Sequence, residues 1–367
     1  MDERRYWIGF NLVRGIGPAK LRRLLEYFGG AAAAWDAPAG ELQAAGLDRR
    51  TLDNLVTARR QTDLDLILHQ AEAAGAQVLT WETPDYPRNL LSIAAPPPVL
   101  FVRGKLTEAD EWAVALVGTR RATSYGREIA RELAGGLAAS GVTVVSGLAR
   151  GIDAAAHRAA LEAGGRTIAV LGCGVDVVYP PEHRELAQAI ARSGAVVSDY
   201  PLGTPPDAVN FPPRNRIISG LSKGVVVVEA DEDSGALITT DFAAEQGRDV
   251  FAVPGNINQR ASRGANKLLQ QGAKLVLGVT DVLEELNLAQ AAERQAVQAA
   301  LPLDNLEQQV LEQLAAGPAH VDELCAQLSL PVAQVSSALA LMELKGLVRA
   351  LGGMSYAARE PGPEYDA

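Results

Sequence analysis

The sequence predicts an α/β protein built on a doubly wound, mostly parallel sheet, with a small helical domain ahead of it and a winged-helix-like module behind it. Three observations carry that expectation. Between Val114 and His157 a β-rich run, a glycine turn and an alanine-rich helical segment occur twice in succession, the pattern of a βαβ unit. Continuous valine runs such as 225–228 read as strands buried on both faces, as in a parallel sheet covered by helices. Alanine-rich segments separate most of the later strand-like runs, so the alternation continues through the middle of the chain.

A chain of 367 residues allows two or three domains, and 48% hydrophobic with 21% charged residues are ordinary globular values. The net charge of −10 argues at face value against nucleic acid, so such a partner rests on local clustering of basic groups. Cys173 and Cys325 are the only cysteines and lie far apart, which predicts neither a disulfide framework nor a zinc cluster. No metal-ligand spacing stands out, and no cofactor or metal is expected. MDERRYWIGF lacks a long apolar core, and no apolar run of about 18 residues follows, so a cytoplasmic protein without a membrane segment is expected.

Residues 1–80 form the expected helical domain, with leucine and alanine three and four apart and breaks at Gly29–Gly30, Pro38–Gly40 and Gly46. Within it Gly15-Ile16-Gly17-Pro18-Ala19-Lys20 is similar to the hairpin of a helix-hairpin-helix motif, whose glycine amides meet a DNA phosphate. A tight interhelical turn with Pro18 at the first helical position fits the same residues. The central α/β domain is expected over 81–285. Its first part, 81–104, carries five prolines and reads as a fixed linker or edge element ending in a strand over 99–102. Further strands are expected near 114–117, 142–145, 167–171, 195–198, 225–229, 250–253 and 274–277. An Ala/Gln-biased linker over 286–303, a winged-helix-like module over 304–358 with three helices and a hairpin at Gly352–Gly353, and a disordered tail over 359–367 complete the chain. The third helix of that module offers only Gln334, two serines and Lys345 as polar contacts, which favours protein contact or weak DNA binding there.

In such a sheet the turns converge on the carboxyl edge of the strands, where ligands bind and helix starts present free amides. Gly118, Thr119, Arg120 and Arg121 supply the first turn, and Ser146, Gly147, Arg150 and Gly151 the second. The run 210–224 contains Arg214, Arg216 and Lys223 without an acid, and 250–280 contains Arg260, Arg263, Lys267 and Lys274, again without one. Such segregation makes a local positive face on an acidic protein. Phe211, beside the first of these runs, either plugs the core or stacks an unpaired base while arginines hold the backbone; its neighbours favour stacking. Ser234, Gly235 and Thr239 offer hydroxyls and amides near a helix start, but Glu229, Asp231, Glu232 and Asp233 repel phosphate nearby. Asp153 and His157 are spaced to pair on one helical face, which reads as structural because no nucleophile motif accompanies them. Neither a Walker sequence nor the full GxGxxG spacing occurs, so nucleotide triphosphates and NAD are not indicated.

The succession VALVGTRRATSYG, SGLARGIDAAAH, TIAVLGCGVDVVYP, NFPPRNRIISGLS, SGALITTDFAAEQGRDVFAVPG and GANKLLQQGAKLV closely resembles the DNA-processing protein A (DprA/Smf) family over roughly residues 85–280. The resemblance implies a Rossmann-like domain between a sterile-alpha-motif-like (SAM-like) helical domain and a winged-helix-like one. It implies a non-enzymatic protein that coats incoming single-stranded DNA in natural transformation and recombination, loads a RecA-type recombinase past single-strand-binding protein, and forms a homodimer. Whether duplex DNA also binds is left open. By motif, Gly118, Thr119 and Arg120 match the phosphate turn and Arg150 a basic position. Asn210, Phe211, Arg214, Asn215 and Arg216 match the base-stacking segment, and Ser234, Gly235 and Thr239 the other side of the base pocket. Asp241 departs from the family pattern and weakens the expected contact. The alternatives are a nucleotide-processing, phosphoribohydrolase-like enzyme relying on Glu229, and a scaffold whose terminal domains bind proteins.

Overall fold

The computed structural model describes residues 2–288, 305–314, 317–328, 330–344, 347–352 and 354–358. The chain divides into two compact units, 1–289 and 290–367.

The first unit opens with six helices, α1 (Arg4–Leu12), α2 (Pro18–Phe28), α3 (Ala31–Asp36), α4 (Ala39–Ala44), α5 (Arg49–Gln61) and α6 (Leu64–Ala73). Their apolar faces enclose Trp7, Phe10, Leu21, Leu24 and Leu55, with Phe10 edge-on to Trp35 at 5.1 Å. A glycine at position 9 permits that packing, since a Cβ there would lie 2.7 Å from the Trp35 ring. The same core runs on into Val78, Val99 and Phe101 of the sheet.

Nine strands follow: β1 (Gln77–Thr80), β2 (Val99–Gly104), β3 (Ala113–Val117), β4 (Thr143–Ser146), β5 (Thr167–Val170), β6 (Ala195–Ser198), β7 (Gly224–Val227), β8 (Asp249–Ala252) and β9 (Lys274–Leu275). They lie in the order β1-β2-β6-β5-β4-β3-β7-β8-β9. β3 to β9 are parallel, as the valine runs predict, while β1 and β2 add an antiparallel pair beside β6. The proline-rich stretch is not an edge element: its prolines lie in the connection from β1 to β2, and β2, paired to β1 on one side and β6 on the other, sits one place in from the edge, which is held by β1, a strand that no expectation placed. Between the strands run α7 (Arg88–Leu91), α8 (Ser124–Ala139), α9 (Ile152–Glu162), α10 (Arg184–Ser193), α11 (Phe211–Leu221), α12 (Leu237–Glu245) and α13 (Arg263–Gln270), and α14 (Val279–Glu285) follows β9. They cover the sheet on both faces, making it a Rossmann-like doubly wound sheet.

In the second unit, helices Asn305–Leu314, Val321–Leu328 and Val332–Leu344 enclose Val310, Leu324, Val335, Leu339 and Met342 beside a small sheet ordered β10 (Ala319–His320), β12 (Ser355–Ala358), β11 (Val348–Gly352). This is the winged-helix arrangement. Most of the expected linker (residues 289–303), Lys345 and the tail lie outside the described residues. Among the described residues no single helix is long and apolar enough to cross a membrane.

Candidate nucleic-acid interface

β3 and β7 are neighbours where the strand order reverses, and ligands of open α/β sheets sit in the crevice between the turns that follow such a pair. A cleft of about 570 Å³ lies there, with Gly118, Thr119, Arg120 and Arg121 on one side, Phe211, Arg214 and Asn215 behind, and Ser234, Gly235 and Thr239 opposite.

The first turn is pinned from beneath. Thr119 donates its amide to the Glu229 carbonyl at 2.7 Å, and a Cβ on Gly118 would come within 2.5 Å of Ile152. The Glu229 side chain is buried, and its carboxylate accepts the Thr123 amide at 2.9 Å and the Thr123 hydroxyl at 2.5 Å. Thr123 in turn caps α8 by accepting the Gly126 amide at 3.0 Å. Glu229 therefore faces inward and holds a helix start. Asp231 is paired with Arg260. Two of the four acids expected to repel phosphate are thus engaged elsewhere.

The second turn braces the first. Ser146 donates to the Leu116 carbonyl at 2.6 Å, while the amides of Gly147 and Ala149 donate to the buried Asp153 carboxylate at 3.1 and 3.2 Å. Leu148, with a φ of 56°, is fully buried, and Gly151 has a φ of 81°. A Cβ on Gly151 would sit 2.3 Å from the Thr119 carbonyl oxygen, which accepts the Ile152 amide at 3.3 Å. Ser146, Gly147 and Gly151 thus support the cleft without lining it, and Arg150 points to solvent paired with Glu182. Asp153 does not pair with His157. The His157 ring is fully buried, with Nδ1 2.7 Å from the Thr167 hydroxyl.

Phe211 begins α11, half-buried, with its ring over Gly172, where a Cβ would approach to 3.0 Å. The exposed Arg120 stands 5.3 Å from the ring centre, Arg214 stands 5.8 Å away, and the Tyr179 ring lies at 5.7 Å tilted by 43°. The two arginines differ in kind. Arg214 is only 4% exposed, donates to the Val170 carbonyl at 2.5 Å and abuts Gly147; burial pulls its pKa down to about 10, with Asp153 the main opposing charge. It is a buried positioning group behind the ring. Asn215 donates to the Gly235 carbonyl at 3.2 Å, tying α11 to the turn after β7.

Several expected contacts fall elsewhere. Lys223 precedes β7, at the amino edge of the sheet opposite the cleft, where it donates to Asn89 at 3.0 Å and lies over the Trp112 ring. Arg216 pairs with the half-buried Asp199 at 2.8 Å, and Asn210 stands at the cap position ahead of α11 without lining the cleft. Arg260 is paired, and Lys274 pairs with Asp249 and Glu285. At the cleft itself the exposed positive charge is therefore smaller than the sequence suggests and centres on Arg120 and Arg121, while Arg263 and Lys267 are exposed on α13 outside the lining. Tyr179 is the aromatic lining residue that residue-type reasoning passed over. A tyrosine beside two prolines in an aromatic-poor chain was the available signal.

The model of a family described as DNA recombination-mediator protein A matches residues 77–287, and that of the DprA winged helix domain matches residues 283–354. The chain belongs to the DNA recombination-mediator protein A family. Protein Smf of Synechocystis sp. is 36% identical, the match covering 98% of this chain and 99% of its own. DNA processing protein DprA of Streptococcus pneumoniae is 46% identical over 54% of this chain and 71% of its own. An X-ray structure of DprA from Streptococcus pneumoniae superposes with a TM-score of 0.68 at 37% identity, covering 77% of this chain and 97% of that one. A Helicobacter pylori DprA structure, described for its single-stranded DNA binding mode, gives 0.52 at 31% identity over 58% and 97% of the two chains. The first family match starts at β1 and ends after α14, so the DprA region contains the whole sheet and every residue of the cleft.

Proposed function

We propose that this DNA recombination-mediator family member binds single-stranded DNA without reading sequence, and hands it to a RecA-type recombinase past single-strand-binding protein during natural transformation and recombination. The observation that supports this best is the Arg120–Phe211–Tyr179 arrangement at the sheet's switch point. An aromatic face accepts any base, and an adjacent exposed guanidinium holds the phosphate that follows it. Asn215, Ser234, Gly235 and Thr239 form the facing wall, where hydroxyls and backbone groups meet base edges. Arg121 extends the phosphate side. The Helicobacter pylori relative described by its single-stranded DNA binding mode supports the same reading.

Binding rather than turnover is the proposed role. The enzyme alternative needs a free carboxylate at Glu229, and that carboxylate is occupied by Thr123. We assign the protein to the cytoplasm as a homodimer, the latter supported by the exposed Leu275 and Leu277 beside the sheet's far edge strand. The experiment is a titration of labelled single strands of different sequence at rising salt, followed by recombinase loading onto strands already covered by single-strand-binding protein. Similar affinities that fall with salt, together with faster loading, are expected. Salt-independent binding, or no effect on loading, would refute the corresponding half of the proposal.

A further inference from the structure

The geometry points to a second nucleic-acid surface, on the N-terminal helices, that takes the backbone of duplex DNA. Two hairpins meet there, Val13–Gly17 between α1 and α2, and 45–48 between α4 and α5. Lys20 pairs with Asp48 at 2.7 Å, and Asn54 donates to the Arg14 carbonyl at 2.7 Å. Gly15 and Gly46 have φ of 102° and 96°, and a Cβ on them would lie 2.8 Å from Thr51 and 2.6 Å from Arg23 respectively. The glycines therefore let each hairpin press against the helix that follows the other.

Around this junction the charge is one-sided. Residues 13–23 and 45–51 contain four plus two cations (Arg14, Lys20, Arg22, Arg23; Arg49, Arg50) and one acid, Asp48, which Lys20 engages. Arg22 lies over the Trp81 ring. Arg14, Arg23, Arg49 and Arg50 remain, exposed and in no ion pair among the described residues. The next acids on the helices that flank the hairpins, Glu26, Glu41 and Asp53, leave the patch positive, with four acids counting Asp48 against six cations. The two stretches contain no aromatic residue on which an unpaired base would stack, so the surface suits phosphates at fixed spacing rather than a flexible strand.

Its location adds a purpose. Asn11, just ahead of the first hairpin, donates to the carbonyl of Asp199 at 3.0 Å, and Asp199 directly follows β6 at the carboxyl edge where the cleft opens. A duplex on the arginines and a single strand in the cleft would both lie along that edge, as at a duplex with a single-stranded tail. The position of the tail rests on the proposed single-strand site; the duplex contact does not.

The test uses the full chain with a labelled single strand and the same strand carrying a duplex flank. The expected result is about tenfold tighter binding to the tailed duplex, with a salt slope steeper by about 0.9 for each added phosphate contact. Arg14→Gln with Arg50→Gln removes most of that advantage and leaves the single strand bound as before; melting curves check that the variant is folded. If it is not, Arg49→Gln alone is expected to lower the slope by about one. Arg120→Ala should do the reverse, weakening the single strand while preserving the advantage of the flank. Equal binding of both probes by the unaltered protein, or an advantage that survives loss of the arginines, overturns the proposal and leaves the patch to an acidic protein.

Discussion

Arg120 stands 5.3 Å over the ring of Phe211, so the exposed cation and the aromatic floor of the cleft form one unit drawn from opposite ends of the sheet's first half. A base on that ring and a phosphate on that guanidinium would be consecutive parts of one nucleotide. Replacing Phe211 by alanine is expected to weaken oligothymidine binding by about 1–3 kcal/mol, the usual worth of one stacked base, whereas Phe211→Tyr preserves it. Fluorescence anisotropy measures this directly. Equal affinity of the alanine variant would remove stacking from the mechanism.

Charge at the cleft is expected to show in the salt dependence. Arg120→Ala lowers the slope of log affinity against log salt by about 0.7, one phosphate's share on a single strand. Lys223→Ala leaves the slope unchanged, because Lys223 occupies the opposite edge, on Asn89. A shift of similar size in both variants would contradict the placement of the site.

Arg214 and Asp153 are both buried and both contact Gly147, one with its guanidinium and the other by accepting an amide. Arg214→Ala leaves Asp153 without its main opposing charge and is expected to cost about 3–5 kcal/mol in urea unfolding. Adding Asp153→Asn should recover part of that loss. No recovery would mean that the arginine acts through packing rather than charge.

The buried His157 gives a pH signature. Burial, with His183 and Arg214 adding repulsion, holds its pKa down to about 3 from 6.5. The folded value lies below the unfolded one, so the unfolded chain takes the proton first. The stability from the neutral ring is complete above pH 6.5 and is lost as pH falls towards 3, by up to about 1.4 kcal/mol per pH unit. Melting temperatures between pH 7 and 4 should fall less steeply for His157→Gln. An identical slope would assign the acid limb to other groups.

The parallel sheet was legible because buried valine runs and glycine turns are local signals that tertiary packing reinforces. β1 was not, since Gln77–Thr80 is too short to show alternation and acquires its pairing from Val99–Val102, beyond the prolines. At the cleft, residue type and order along the chain identified Arg120, Phe211 and Ser234. They could not separate Arg120 from Arg214, because which arginine a fold buries depends on Gly147 and Val170, and which one it pairs, as with Arg216 and Asp199, depends on contacts across the sheet. Lys223 misled for a simple reason: a basic residue next to a strand can sit at either end of it.

Val78, Val99 and Phe101, each at most 1% exposed, are shared between the sheet's antiparallel edge and the N-terminal helices. Those helices are therefore the hull of the sheet as well as a neighbour to it. Paring the chain down to its central fold would lay bare an oily flank, and a shorter version could stay in solution only after that flank had been repainted with polar groups.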